Sequence, residues 1–68
     1  MLTNKTIGDI IKQIRKEAKL TQKEFSCKLG VSDSYISKVE KNKSYPSLKF
    51  LKNVSDKLDK PMGIFFGD

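Results

Sequence analysis

Helix start and stop signals lie so close together along this chain that only short helices fit between them. Thr6, Thr21 and Ser32 each precede a segment with helical periodicity. Hydroxyl side chains at such positions accept hydrogen bonds from the free amides of a first helical turn. Asp9 follows Thr6 by three residues and Glu24 follows Thr21 by three, which is the spacing of a capping box. These signals favour an all-α fold.

The stop signals complete this division of the chain. Gly30 and Asn42 are residue types that tolerate the left-handed conformation in which helices end. Pro46-Ser47 marks the start of a fourth helix, and Pro61 suits the first position of a final turn that would end at Gly67. The sequence therefore predicts five short helical segments and no strand.

Apolar residues recur at helical spacing within these segments, so we expect them to form one core. The residues predicted to face inward are Ile7, Ile10, Ile14 and Ala18 in the first helix, Phe25 and Leu29 in the second, Ile36 and Val39 in the third, and Leu48, Leu51, Val54 and Leu58 in the fourth. Of Phe65 and Phe66, one is expected in the core and the other at the surface. A chain of 68 residues builds a single core. Residues 1–68 are therefore predicted to form one domain.

The composition excludes most catalytic chemistry. With no histidine and one cysteine, the chain has no Cys/His zinc set, no Ser-His or Cys-His dyad and no intramolecular disulfide. We therefore expect no enzyme activity, no metal, no cofactor and no small-molecule substrate. The single Cys27, expected at the periphery of its helix, and the missing signal peptide favour the cytoplasm. The apolar runs are too short to span a membrane, so no membrane partner is expected.

The positive charge is concentrated in one stretch. The net charge is +6, and residues 38–52 alone carry five lysines and one acid. A cluster of this kind suggests a polyanionic partner, with nucleic acid ahead of a membrane surface. A lysine-rich solvated surface explains the charge alone equally well.

Residues 22–41 have the features of a helix-turn-helix. This geometry needs a small residue where the two helices approach, a glycine and an apolar residue in the turn, and apolar anchors on both helices. Ser26, Gly30 and Val31 meet the first three requirements, and Phe25, Leu29, Ile36 and Val39 are the anchors. The hydroxyl of Ser26 needs a hydrogen-bond partner inside the fold.

The chain resembles the Cro and phage-repressor-like helix-turn-helix family, also called the XRE family. The resemblance rests on IGDIIKQIRKEAKLTQKEF, LGVSDSYISKVEKNK and YPSLKFLKNVSDKLDKP, which together cover most of the sequence. It implies a compact five-helix, lambda-repressor-like domain in which helices 2 and 3 form the helix-turn-helix. It also implies double-stranded DNA as the partner.

The resemblance assigns roles to individual residues. Residues expected to read base edges or contact flanking phosphates from the recognition helix are Ser32, Asp33, Ser34, Ser37 and Lys38. Those expected to contact phosphates are Gln22, Lys41, Asn42, Lys43 and Tyr45, with backbone amides of the loop contributing. Arg15 and Glu40 match a structural ion pair between helix 1 and the end of helix 3.

Two of these residues keep a second interpretation. Asp33 could accept a hydrogen bond from a cytosine amino group, or it could complement the dipole of its helix. Tyr45 could bond a phosphate or pack against the domain. Tyr35, outside the assigned set, could contact DNA or bridge helices 2 and 3 as a half-buried aromatic.

The expected function is sequence-specific DNA binding that regulates transcription, with the chain acting as a repressor. A homodimer would place two recognition helices in successive major grooves of a palindromic operator. Two alternatives remain open at this level. One is an antitoxin-type module of the same fold whose main partner is a protein, and the other is a cationic helical protein acting at anionic membranes.

Overall fold

A computed structural model describes residues 6–66, which form four α-helices and one short 3₁₀ turn. The helices are α1 (Ile7–Glu17), α2 (Gln22–Leu29), α3 (Asp33–Glu40) and α4 (Leu48–Leu58), and the turn spans Met62–Phe65. No strand occurs in this range, as predicted. The fifth helix is only a 3₁₀ turn, because four residues are too few for a stable ladder of α-helical hydrogen bonds. Pro61 precedes the turn, and Gly67 lies outside the described residues.

The predicted helix starts are confirmed by their hydrogen bonds. Thr6 and Thr21 each form a reciprocal capping box with the residue three positions on, at 3.1 and 3.3 Å for Thr6 and 3.0 and 2.9 Å for Thr21. Ser32 and Ser47 accept the third amide of α3 and α4, both at 3.1 Å. Each start is therefore fixed by its own local sequence.

The predicted stops are confirmed at Gly30 and Asn42, which have φ angles of 73° and 61°. Lys19 and Asp59 also adopt the left-handed conformation, after α1 and α4 respectively. Positive φ at these non-glycine residues is tolerated at single positions that end a helix.

One core lies between the helices. Its buried apolar residues are Ile11, Ile14, Phe25, Leu29, Ile36, Val39, Phe50, Leu51, Val54 and Phe65. α3 packs against both α1 and α2, while α4 packs on α2 and the final turn closes against α1 and α4. α3 is thus positioned by its packing against two other helices.

Two of the predicted inward faces were partly wrong. In α1, Ile11 is fully buried and Ala18 is exposed, because Ala18 lies beyond the last helical residue. In α4, Phe50 is buried and Leu48 is 65% exposed. Phe65 is buried and Phe66 is exposed, in agreement with the prediction that only one of the two enters the core.

α1 approaches α3 closely at Gly8, which is buried near the start of α1. A Cβ atom at this position would lie 2.3 Å from the backbone oxygen of Val39 and 2.6 Å from Oδ1 of Asn42. Only glycine fits such a contact without movement of the backbone. The carboxyl end of α3 and the residue that ends it are therefore packed directly against α1.

Candidate nucleic-acid interface

α3 presents one face to the core and the other to solvent. Ile36, Val39 and Glu40 are buried. On the outer side Asp33, Ser34 and Lys38 are exposed and Ser37 is half-buried. A helix with one buried face and one exposed polar face can enter a major groove of DNA so that its polar side chains face the bases.

Two of the predicted base-reading residues lie at the start of α3. Ser32 is the N-cap, and its hydroxyl oxygen accepts the Tyr35 amide, although the residue remains exposed. Asp33 is the first residue of α3, where its negative charge complements the helix dipole. Both interpretations of Asp33 fit this position, because its exposed carboxylate can also reach a ligand.

Glu40 lies at the centre of a network that joins three helices. Its Oε2 accepts Arg15 Nε at 2.7 Å, and its Oε1 accepts Arg15 Nη2 at 3.1 Å and Gln22 Nε2 at 3.0 Å. Arg15 Nη1 also donates to the backbone oxygen of Leu20 at 2.9 Å. The Arg15 and Glu40 side chains are only 11% and 3% exposed. The geometry is bidentate, which lysine could not reproduce.

This network bears on the phosphate contact expected from Gln22. One N–H of its side-chain amide is donated to Glu40, and the residue is half-buried at the first position of α2. The second N–H remains for a ligand in front of the helix terminus. Glu40 therefore orients the Gln22 amide.

The loop after α3 is organised by its own backbone hydrogen bonds. The amide of Asn42 donates to the backbone oxygen of Val39 at 3.0 Å, and the amides of Lys43 and Ser44 donate to that of Lys38 at 2.8 and 3.3 Å. These three amides are therefore occupied within the chain. Lys41, Asn42 and Lys43 instead present exposed side chains to a ligand.

The two tyrosines have different surroundings. Tyr45 is 79% exposed next to the lysine-rich loop. Tyr35 is half-buried, and its ring packs edge-on against Phe50 of α4 with 5.1 Å between centroids. Its aromatic contact is therefore with α4, rather than a bridge between α2 and α3.

Long-range packing creates further interactions that periodicity does not reveal. Asn53 of α4 donates its side-chain amide to the backbone oxygen of Leu29 at 2.8 Å, at the end of α2. The partner that the buried Ser26 requires is local by contrast: its hydroxyl donates to the backbone oxygen of Lys23 at 2.7 Å, three residues earlier in α2. No local signal could have identified Asn53, because its partner lies 24 residues away.

The cationic stretch is exposed along its whole length. Lys38, Lys41, Lys43, Lys49 and Lys52 are all exposed, and none takes part in an ion pair with residues 6–66. The buried Glu40 is already neutralised by Arg15. The lysines of residues 38–52 therefore carry an uncompensated positive field, which favours a polyanion.

Other kinds of site are not evident in residues 6–66. No group of three or more His, Cys, Asp or Glu residues in this range could hold a metal ion. Cys27 is a free, exposed thiol. None of the helices in this part of the chain has the length and apolar character needed to cross a membrane.

Comparisons with known proteins agree with this geometry. A family model described as helix-turn-helix matches residues 11–65. The HTH-type transcriptional regulator SinR of Bacillus subtilis (strain 168) is 46% identical over 54 residues, which cover 78% of this chain and 49% of SinR. The immunity repressor protein of Bacillus phage phi105 is 38% identical over 63 residues, or 93% of this chain and 44% of the repressor. The chain spans about half the length of these curated relatives.

Solved structures show the same similarity. SinR in complex with DNA matches with a TM-score of 0.83 and 40% identity, over 90% of this chain and 98% of that chain. The P22 c2 repressor in complex with a synthetic operator matches with a TM-score of 0.84 and 27% identity, over 96% of this chain and 100% of that chain. With its capped helices, its turn at Gly30 and its buried Arg15–Glu40 pair, this chain belongs to the Cro and phage-repressor-like (XRE) family of helix-turn-helix proteins.

Proposed function

We propose that this chain binds double-stranded DNA sequence-specifically and represses transcription from the site it occupies. The observation that carries the proposal is the outer face of α3, where Asp33, Ser34 and Lys38 are exposed beside a loop whose lysines form no ion pair with residues 6–66. Two relatives, a transcriptional regulator and an immunity repressor, support the same role. The role is non-catalytic and needs no cofactor.

The role that we propose for each DNA-contacting residue follows from its position in the fold. Ser32, Asp33, Ser34, Ser37 and Lys38 lie on or at the start of the helix that enters the major groove, where short polar side chains contact base edges. Gln22 and the loop residues Lys41, Asn42, Lys43 and Tyr45 contact phosphates, which supply affinity rather than sequence information. A DNA-binding regulator has to be in the same compartment as the DNA, and this agrees with the cytoplasmic location expected from the sequence.

One recognition helix reads only a few base pairs, so we propose that the chain acts as a homodimer. Two copies would place their α3 helices about 34 Å apart on one side of a palindromic site. The antitoxin-type alternative is less favoured, because the relatives are named as regulators and a repressor. The membrane alternative needs continuous amphipathic helices. Gly30 instead ends α2, and Pro46 lies between α3 and α4.

Selection of bound sequences from a random DNA pool, repeated at two salt concentrations, tests this function. A palindromic consensus with two half-sites about one helical turn apart is the expected result. Binding to the consensus should weaken steeply with salt, because phosphate contacts release counterions. Enrichment of no sequence at either salt concentration would contradict the proposal and favour a protein partner.

A further inference from the structure

A groove of about 670 Å³ lies between α4 and the turn that joins α2 to α3. Buried Leu29 and Phe50 line it together with half-buried Val31 and Tyr35. Small-molecule pockets in proteins have volumes of roughly 300–1,000 Å³ and are mainly lined by apolar and aromatic side chains. The groove has this size and lining. None of the residues assigned above to base or phosphate contacts lines it, although its two lysines belong to the exposed cationic stretch of residues 38–52.

The charged groups of the groove favour an anion. Lys49 and Lys52 line it from α4, both are exposed, and neither has an acidic partner within residues 6–66. Asp56 also lines the groove and leaves it with one excess positive charge. Tyr35 is half-buried, and its hydroxyl forms no hydrogen bond with the described residues and is not a buried unpartnered group, so it faces solvent. The Asn53 amide is occupied by the Leu29 carbonyl. A ligand therefore meets apolar surface, two free cations and one free hydroxyl.

We propose that this groove binds a small amphiphilic anion, an aryl carboxylate whose ring packs against the half-buried Val31 and Tyr35 and whose carboxylate faces Lys49 and Lys52. Ring stacking supplies contact area, and the lysines supply the preference for a carboxylate over a neutral group.

An occupant of the groove would contact the elements that position the recognition helix. Tyr35 belongs to α3, and Val31 lies in the turn before it. A ligand that binds the free and the DNA-bound chain with different affinities changes DNA affinity by the same factor. This regulatory consequence rests on the proposed function, whereas the binding itself does not.

NMR titration of the ¹⁵N-labelled chain with 3-phenylpropionate tests the binding. Saturable shifts are expected at the Gly30 and Val31 amides and the Asn53 side chain, with a dissociation constant on the order of 1 mM for a ligand of this size. The neutral analogue 3-phenylpropanamide should bind about fivefold more weakly, because it loses the contacts of its carboxylate with two exposed lysines. Acetate, which lacks the ring, should give no saturable shift.

A matched pair of variants tests the role of the lysines. Lys49→Gln combined with Lys52→Gln should weaken 3-phenylpropionate binding about fivefold. Lys12→Gln combined with Lys16→Gln removes the same charge from exposed positions of α1, away from the groove, and should leave the binding unchanged. Thermal unfolding of both variants, expected near that of the parent chain, verifies that they fold.

Three results would overturn the proposal. The first is the absence of saturable shifts at the groove, and the second is equal weakening by the two double variants. The third is unchanged 3-phenylpropionate affinity in the Lys49→Gln, Lys52→Gln variant together with a uniform loss of DNA affinity, which would assign these lysines to DNA phosphates. Because the titration contains no DNA, failure of the groove proposal is distinguishable from failure of the DNA-binding proposal.

Discussion

The side-chain amide of Gln22 donates to Oε1 of Glu40 at 3.0 Å. Gln22 is the first residue of α2 and Glu40 is the last residue of α3. The hydrogen bond therefore spans the outer ends of the helix-turn-helix, while the Gly30 turn joins the inner ends. The angle between the two helices is fixed at both ends, and Arg15 ties the same carboxylate to α1.

Glu40→Ala should destabilise the fold by about 3 kcal/mol, because it leaves the largely buried Arg15 guanidinium without its carboxylate. Urea unfolding measures the change. Glu17→Ala is the matched control, since the Glu17–Lys60 pair has 3.7 Å between its atoms and side chains that are 54% and 34% exposed. Its loss should cost less than about 1 kcal/mol. Equal costs for the two variants would show that Glu40 is not a structural centre.

Three glycine-to-alanine substitutions should differ in the size of their effect on stability. Gly8→Ala should destabilise by about 1–3 kcal/mol, because its Cβ would meet the Val39 backbone oxygen at 2.3 Å. Gly30→Ala should cost about 1 kcal/mol through its φ of 73°, although no atom obstructs the Cβ. Gly63→Ala should change stability by less than about 0.5 kcal/mol, since its Cβ meets nothing within 4 Å. Thermal unfolding of the three variants gives the order, and a Gly63 effect as large as that of Gly8 would contradict it.

Asn53→Ala should destabilise the chain by about 1 kcal/mol, because the Leu29 carbonyl loses the hydrogen bond that it accepts at 2.8 Å. Asp56→Ala is a suitable control, as Asp56 is exposed on the same helix. Chemical denaturation compares the two variants. An Asn53 variant as stable as the parent would mean that water replaces the side chain without cost.

Lys38 and Lys43 should separate base reading from phosphate binding. Lys38→Ala is expected to weaken binding to the selected operator by about 1–3 kcal/mol and to relax preference at one base pair. Lys43→Ala should weaken binding to all DNAs similarly and reduce the salt dependence by about one counterion. Fluorescence anisotropy on operator and scrambled duplexes at several salt concentrations measures both effects. If both variants lose affinity equally on both duplexes, Lys38 is not a base reader.

The sequence predicted the helix boundaries well because caps are local. Thr21 and Glu24 are three residues apart, and their reciprocal bonds need no other part of the chain. The positive φ of Gly30 follows from the absence of a Cβ atom at the residue that ends α2. Interactions of this kind can be identified wherever the residue types and spacing occur.

The inward faces were less predictable where one helix carries two apolar stripes. In α1, isoleucines at positions 7, 10, 11 and 14 permit two overlapping faces, and packing against α3 selects the one that contains Ile11. In α4, both Leu48 and Phe50 are apolar, but only Phe50 is buried, in contact with the Tyr35 ring, whereas Leu48 is exposed. The Asn53–Leu29 bond and the groove beside it arise only when α4 meets the end of α2. Such features depend on tertiary packing, which periodicity does not describe.

In α3, the residues that are buried in the fold are different from the residues that are exposed to solvent. Ile36, Val39 and Glu40 anchor it, whereas Asp33, Ser34 and Lys38 can be exchanged without altering the core. On the proposed DNA-binding function, a lineage with this arrangement could acquire a new DNA target through a few substitutions and retain its stability. On the same proposal, these three positions are the first to vary in a library that aims to redirect the domain.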